Sequence, residues 1–163
     1  MKKKLVVAGE KIFVFRVTVE DNPEIIRELA LLETQTLYTF AEAIIDSFDF
    51  DFDHCFGFFN NVDKWYQAER QYELFKDVGE ECKPGTKGVK KTKIREAFEK
   101  DKKMLFLFDY GDEWKFIVEL VRKEEAAAGS RKKYPLLLKK VGESPEQYSP
   151  LEEDADESNS IIN

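Results

Sequence analysis

Two short stretches of this chain gather side chains that could do chemistry. The first is Asp49-Phe50-Asp51-Phe52-Asp53-His54, where carboxylates alternate with aromatic rings and end in the only histidine. In an extended chain Asp49, Asp51 and Asp53 share one face, because successive side chains alternate. The second is Asp109-Tyr110-Gly111-Asp112-Glu113-Trp114, between the β-type runs Met104 to Phe108 and Lys115 to Val121. Gly accepts a positive φ and Asp tolerates one, so Gly111 and Asp112 suit a tight hairpin turn. If the fold brings these stretches together, Asp51, Asp53, His54, Asp109 and Asp112 are the catalytic candidates. They could offer oxygen ligands to a divalent cation, or an acid and a base for hydrolysis. A plainer reading weighs more: the hairpin carboxylates fix the turn through backbone amides, and the Asp run is a solvated edge. On that reading no metal and no cofactor is expected.

His54 has no serine or cysteine in a recognisable nucleophile elbow to activate, so it reads as a hydrogen-bonded structural residue. Cys55 follows it directly. In a strand the two would point to opposite faces, which argues against a Cys–His dyad and places Cys55 in the core. Trp65, Tyr110 and Trp114 are the candidates for stacking on a ligand. With fourteen Phe and 13% aromatics, however, most rings must simply pack. Lys83 to Lys103 holds nine Lys or Arg against three acids. Lys87, Lys90, Lys91, Lys93 and Arg95 form the candidate nucleic-acid surface there. The segment has no Gly-x-x-x-x-Gly-Lys-Ser/Thr pattern and is no nucleotide loop; a solvated loop and helix face is the plainer reading.

The elements that must position these groups follow from periodicity. Phe13, Phe15, Val17 and Val19 alternate with Val14, Arg16, Thr18 and Glu20, which predicts a strand over Ile12 to Glu20. Asp21-Asn22-Pro23 is a turn signal. Ile25 to Leu32 fits both a helix face and a strand, and its Glu, Leu and Ala lean to helix. Leu37, Phe40, Ala41, Ile44, Ile45 and Phe48 fall on one face of a helix over Thr36 to Phe48, with Thr36 or Thr34 able to cap it. Cys55 to Phe59 reads as a buried strand and Asn60-Asn61 as a turn. Some helix is expected around Glu69 to Phe75. Thr92 would cap a short helix running to about Lys100. The hairpin follows, then a charged connector over Glu124 to Lys133, then a last strand over Tyr134 to Val141.

The 163-residue length suits one domain with a real core. No apolar run is long enough to span a bilayer, and the apolar stretch Leu5 to Ala8 is too short for a signal-peptide core. Cys55 and Cys82 form no Cys-x-x-Cys pair, so neither a disulfide framework nor a zinc ribbon is expected, and separate thiols fit a cytoplasmic location. The net charge of −7 is unevenly placed: seven acids and no Lys or Arg lie from Glu143 onward, leaving 26 acids against 26 Lys and Arg before it. The chain therefore divides into one α+β domain over 1–148 and an acidic tail over 149–163 whose composition predicts disorder. The total charge gives no general grip on polyanions.

Several stretches together resemble the plasmid pRiA4b ORF-3-like family, which includes passenger proteins of insertion elements. Pro23-Glu-Ile-Ile-Arg27 with Thr36-Leu37 is similar to the family's Pro-x-Ile-x-Arg … Thr-Leu block. Asp51-Phe-Asp53-His54 is similar to its Trp-Asp-x-x-His block, and Asp109-Tyr-Gly-Asp-Glu-Trp114 to its Tyr-Asp-Phe-Gly-Asp-x-Trp block. Tyr134-Pro135 and Gly142-x-x-Pro145-Glu146 resemble the closing block. The resemblance runs from about residue 10 to 148, with the hairpin its specific part. It implies that Ile25 to Leu31 is a strand, against its propensity. The implied fold is α+β: a mixed, mainly antiparallel sheet packed on one main helix, with a β-grasp-like opening of strand, strand, helix, strand, followed by a hairpin. The family pattern often carries further histidines where this chain has Phe56 and Phe116. That paired replacement predicts that the two are neighbours on adjacent strands. Nothing resembles a recombinase's catalytic serine or tyrosine with an arginine cluster. The implied function is a cytoplasmic binding or accessory module of that family, associated with mobile elements and with no catalytic activity evident; its partner is left open between a protein and a nucleic acid, and no membrane is expected. The competing readings are a metal-assisted hydrolase or nuclease built on the carboxylates, and a nucleic-acid accessory protein built on the lysines.

Overall fold

The computed structural model describes residues 1–148; the expected acidic tail over 149–163 lies outside the described residues. The chain runs β1 (Lys4–Leu5), β2 (Lys11–Val19), β3 (Asn22–Leu32), α1 (Leu37–Ser47) and β4 (Phe56–Phe59). It continues with β5 (Gln71–Glu73), α2 (Leu74–Asp77), α3 (Ile94–Ala97), β6 (Lys103–Phe108), β7 (Trp114–Glu125), β8 (Lys133–Tyr134) and β9 (Leu136–Val141). Seven strands form one sheet in the order β5-β4-β6-β7-β2-β3-β9, and β1 pairs with β8 in a two-stranded ribbon. Every pairing of named strands is antiparallel. The α+β class, the antiparallel sheet and the strand-strand-helix-strand opening thus stand, though β6 and β7 separate β4 from β2.

The helix-leaning segment Ile25 to Leu31 is a strand, paired with β2 from Ile12↔Leu32 to Val19↔Asn22. Tertiary pairing overrides a weak intrinsic preference here, because the two faces of β3 must both meet apolar layers. The turn is Glu20-Asp21 rather than Asp21-Asn22-Pro23, and Pro23 lies within β3. Alternation sorts β2 as its pattern requires. Phe13, Phe15, Val17 and Val19 join the large core, while Ile12 and Val14 point to the opposite face with Ala30, Leu32 and Tyr134. The α1 helix covers the first face. Leu37, Phe40, Ala41, Ile44, Ile45 and Phe48 are all buried, and the Thr36 hydroxyl accepts a hydrogen bond from the Thr39 amide at 3.2 Å. A layer of Phe rings fills the space between helix and sheet; Phe40 lies 4.4 Å from Phe15 and 5.7 Å from Phe58.

Several elements depart from the sequence expectation. Gln71–Glu73 is a strand, with helix only from Leu74, because Gly57↔Glu73 and Phe59↔Gln71 pairing extends the sheet. Thr92 does not cap α3. Its hydroxyl donates to Gly88 O at 2.6 Å, Lys93 takes the cap position, and the helix stops at Ala97. β7 runs through Glu125, into the expected connector. The last strand divides at Pro135, which has no amide hydrogen for a ladder. Phe56 and Phe116 are both buried on the helix-facing side, but not on adjacent strands. β6 separates them, and Phe106 lies between the rings at 5.7 Å and 5.9 Å. Among the described residues no helix is long and apolar enough to cross a membrane.

Candidate functional site

The two acidic stretches meet. The chain leaves α1, turns back through residues 48–55, and enters β4 beside β6. The Asp109 amide then donates to Cys55 O at 2.9 Å, tying the start of the hairpin loop to the residue after His54. His54 Nε2 lies 3.3 Å from Asp109 Oδ2 and 3.6 Å from Asp53 Oδ1. The third partner is Tyr148, whose hydroxyl donates to Asp53 Oδ2 at 2.5 Å and lies 3.3 Å from His54 Nε2. The hydrogen bond to Asp53 pushes the Tyr148 hydroxyl up to about 12, so it stays protonated as a donor. With that proton directed at Asp53, the Tyr148 oxygen can accept from His54 when Nε2 carries hydrogen, and Asp109 Oδ2 stands beside the ring as a charged neighbour.

Asp109 is committed on its other oxygen as well. Oδ1 accepts from the Gly111 amide at 3.0 Å and the Asp112 amide at 3.2 Å, an Asp turn of the kind expected of this residue. The loop's left-handed residues are Asp109 (φ 65°) and Glu113 (φ 51°). Gly111 is not among the positive-φ glycines, which corrects the expectation that it supplies an unusual backbone conformation. Its role is one of close approach, since a Cβ there would stand 3.3 Å from Asp109 Oδ1.

Of the five catalytic candidates, the structure brings together Asp53, His54 and Asp109. Asp51 approaches only through its backbone, which exchanges hydrogen bonds with the Gln147 side chain at 2.7 Å and 3.1 Å. Asp112 faces away, lining a cleft of about 270 Å³ with Glu20, Asp21, Glu113 and Trp114. Among the described residues no group of three or more His, Cys, Asp and Glu has an arrangement that could hold a metal ion.

Four residues that position this cluster were not singled out from the sequence. Arg27 is fully buried and donates from Nε to Ser47 O at 2.8 Å, from one terminal nitrogen to Ile26 O and Val141 O at 2.9 Å and 3.0 Å, and from the other to Ser144 Oγ at 3.0 Å. Ser144 Oγ donates on to Asp49 Oδ2 at 3.0 Å. The Ser144 hydrogen bond, then Lys140 beside it, holds the Asp49 carboxyl below its ordinary range. Ser144, Gln147 and Tyr148 thus strap the end of the domain across the Asp49–His54 stretch, and Arg27 anchors the strap from beneath. The signal for Arg27 lay in its place at the end of the Pro23-to-Arg27 block; Tyr148 carried none beyond its nearness to Pro145-Glu146.

The three ligand-stacking candidates do not share a site. Trp114 packs in the helix-side core, 4.8 Å from Phe50. Tyr110 and Trp65 sit 6.0 Å apart with Phe59 and Leu107 on the opposite face. The Tyr110 hydroxyl donates to Glu73 Oε2 at 2.6 Å, and burial first, then Glu73, pushes it well above its ordinary range. Gly57 leaves room for this group, since a Cβ there would lie 3.0 Å from the hydroxyl. Lys87, Lys90, Lys91 and Arg95 are exposed and Lys93 half-buried. Lys90 reaches over the Tyr38 ring at 5.5 Å, but that ring is packed against Phe52 and Phe56. Both cysteines are free thiols, and burial raises each, which opposes a nucleophilic thiolate. Cys55 is half-buried rather than a core residue.

The fold and site define an α+β protein with one seven-stranded antiparallel sheet and an internally bonded acid–histidine cluster. The chain belongs to the plasmid pRiA4b ORF-3-like protein family, whose model matches residues 11–149. Among solved structures it is similar to a protein of unknown function, MM3350, from Methanosarcina mazei Go1. The two are 19% identical, the match covers 96% of this chain and 84% of the other, and the TM-score is 0.67, which shows the shared fold. No curated protein matches the chain significantly.

Proposed function

We propose that this protein is a cytoplasmic binding or accessory module of mobile-element type, without catalytic activity. One observation carries this reading. The groups that could react are engaged with one another: Asp109 is bonded to its own turn amides, Asp53 to Tyr148, and His54 Nε2 to Tyr148, with Asp109 Oδ2 3.3 Å from the ring nitrogen. A catalytic base or an ion site needs an open position facing a substrate. Here Gln147 and Tyr148 of the 144–148 strap take up one oxygen each of Asp53, although the Asp53 and His54 side chains remain 46% and 38% exposed. The hydrolase reading has the convergence of Asp53, His54 and Asp109 in its favour, but lacks both Asp51 and Asp112 as partners. The nucleic-acid reading has exposed lysines, but the ring that Lys90 reaches over, Tyr38, is packed against Phe52 and Phe56. The test is turnover of bis(p-nitrophenyl) phosphate with manganese, magnesium or zinc. The module reading expects the wild type and Asp53→Asn to be indistinguishable from buffer. Turnover that needs metal and disappears in Asp53→Asn would establish the hydrolase instead.

A further inference from the structure

We propose that the outer edge of β9 is a docking strand for an extended acidic–apolar peptide of a partner protein. This rests on the binding-module reading and names its interface. A sheet of seven strands has two edges, and this one treats them differently. At the β5 edge, Lys87 bridges to Tyr72, the Lys87 amide donates to Gln71 O at 3.1 Å, and the Glu73 amide donates to Lys87 O at 2.9 Å. The β5 residues are all buried. At the other edge β9 pairs with β3, and among the described residues no further strand lies beside it.

Lys139, Lys140 and a bulge at Leu138 blunt this edge only in part. β9 is six residues long, Leu136 to Val141, and five of them are exposed. Leu137 and Leu138 are 47% and 46% exposed, which leaves substantial apolar surface in water on an unpaired strand. The register to β3, shifted at Leu138, puts Leu137 and Lys140 on the face of Leu29 and Arg27, and Leu136, Lys139 and Val141 on the face of Ala30, Glu28 and Ile26. A cleft of about 270 Å³ opens beside the strand, with Leu29, Pro135, Leu136 and Leu137 as apolar lining and Lys3 and Lys140 balanced by Asp46 and Asp49, so it favours an uncharged side chain. That volume suits one aliphatic side chain of an added strand. Backbone pairing supplies affinity in this mode of recognition, and pockets for alternate side chains supply selectivity.

The charge decides the partner's chemistry. Asp49 already engages Lys140 at 3.3 Å, whereas Lys139 has no acidic partner within 4.0 Å among the described residues. A second copy would present its own Lys139 and Lys140 to this edge, like charges that disfavour self-association. An acidic strand with alternating aliphatic side chains satisfies amides, leucines and lysines together.

The experiment uses the full chain and two labelled octapeptides, alternating Leu-Glu and alternating Leu-Lys. Anisotropy reports binding and hydrogen exchange reports where. The expected result is saturable binding of the Leu-Glu peptide only, with slowed exchange of the β9 amides. Lys139→Glu, with an unchanged thermal melt, should weaken binding by about tenfold. Three results would overturn the proposal. These are no binding, equal binding of both peptides, or β9 amides that already exchange as slowly in the free chain as those of β2. The last would mean that residues 149–163 or a second copy cover the edge. Each leaves the module reading to the phosphodiester assay, so the two fail separately.

Discussion

Replacing Arg27 with Met should destabilise the protein by about 3 kcal/mol. The size follows from what the guanidinium holds. Ser47 O, at the C-terminal end of α1, is buried and accepts from Nε at 2.8 Å; orphaning a buried carbonyl costs about 1–3 kcal/mol. The guanidinium also lies 4.7 Å from the Phe48 ring centroid, a contact worth about 1–2 kcal/mol when desolvated. Ile26 O and Val141 O belong to paired strands, so losing their bond to Arg27 costs less than losing an only partner. Removing a buried charge returns some desolvation energy in the other direction. Burial indeed lowers the pKa of Arg27, with Asp49 opposing. The Met side chain fills much of the same space, so the cavity contribution is small. Urea denaturation read by tryptophan fluorescence should give a lower midpoint at unchanged slope. For a domain of this size the melt should fall by roughly 6–12 °C. Arg27→Lys should recover less than half, because one ammonium cannot reach both Ser47 O and Ser144 Oγ. A loss below about 1 kcal/mol for Arg27→Met would refute the idea that this side chain ties α1, β3 and the strap together.

Other consequences are as direct. Phe40→Ala should cost about 3–5 kcal/mol in the same denaturation assay, since the ring is fully buried between Phe15 and Phe58. At the hairpin, Asp109→Ala should destabilise by about 1–3 kcal/mol, losing a side chain that supports its own positive φ and two turn amides. Gly111→Ala should change stability by less than about 1 kcal/mol, because the new Cβ meets only Asp109 Oδ1 at 3.3 Å. The Asp101 carboxyl is held below its ordinary range first by the paired hydrogen bonds from Arg70, at 2.7 Å and 2.9 Å. A depressed folded pKa gives stability that is full above the unfolded value, about 3.9, and lost as pH falls through the folded one. Urea midpoints between pH 6 and pH 3 should therefore fall less steeply in Asp101→Asn than in the wild type.

The parts of the fold legible in the sequence were those in which one periodic pattern met one apolar layer. α1 and β2 are of this kind: each puts its large residues on a single face, and that face is the one buried. β3 was not legible from composition, because both its faces are covered near Leu29 to Leu32 and a two-sided strand carries no alternation. Only the block it shares with a family decided it. β5 was hidden for a different reason. Three residues cannot show a period, and pairing with β4 makes them a strand. At the candidate site the acids were visible, and so was a turn. What composition could not show is which atoms face each other: the strap from Ser144 to Tyr148 lies more than ninety positions from Asp53 and meets it through side chains alone. The expectation for Gly111 failed because a five-residue loop has several ways to close. This one puts the left-handed conformations on Asp109 and Glu113.

The central claim is that the His54 cluster is an internally bonded architectural element. Its most direct test is the melting temperature with and without saturating magnesium, manganese or zinc. An ion bound at a hundredfold over its dissociation constant would add about 2.7 kcal/mol, a shift of several degrees. The account predicts no shift with any of the three ions. A clear rise that disappears in Asp109→Asn, with the apo fold intact by circular dichroism, would contradict it and make the carboxylates a metal site.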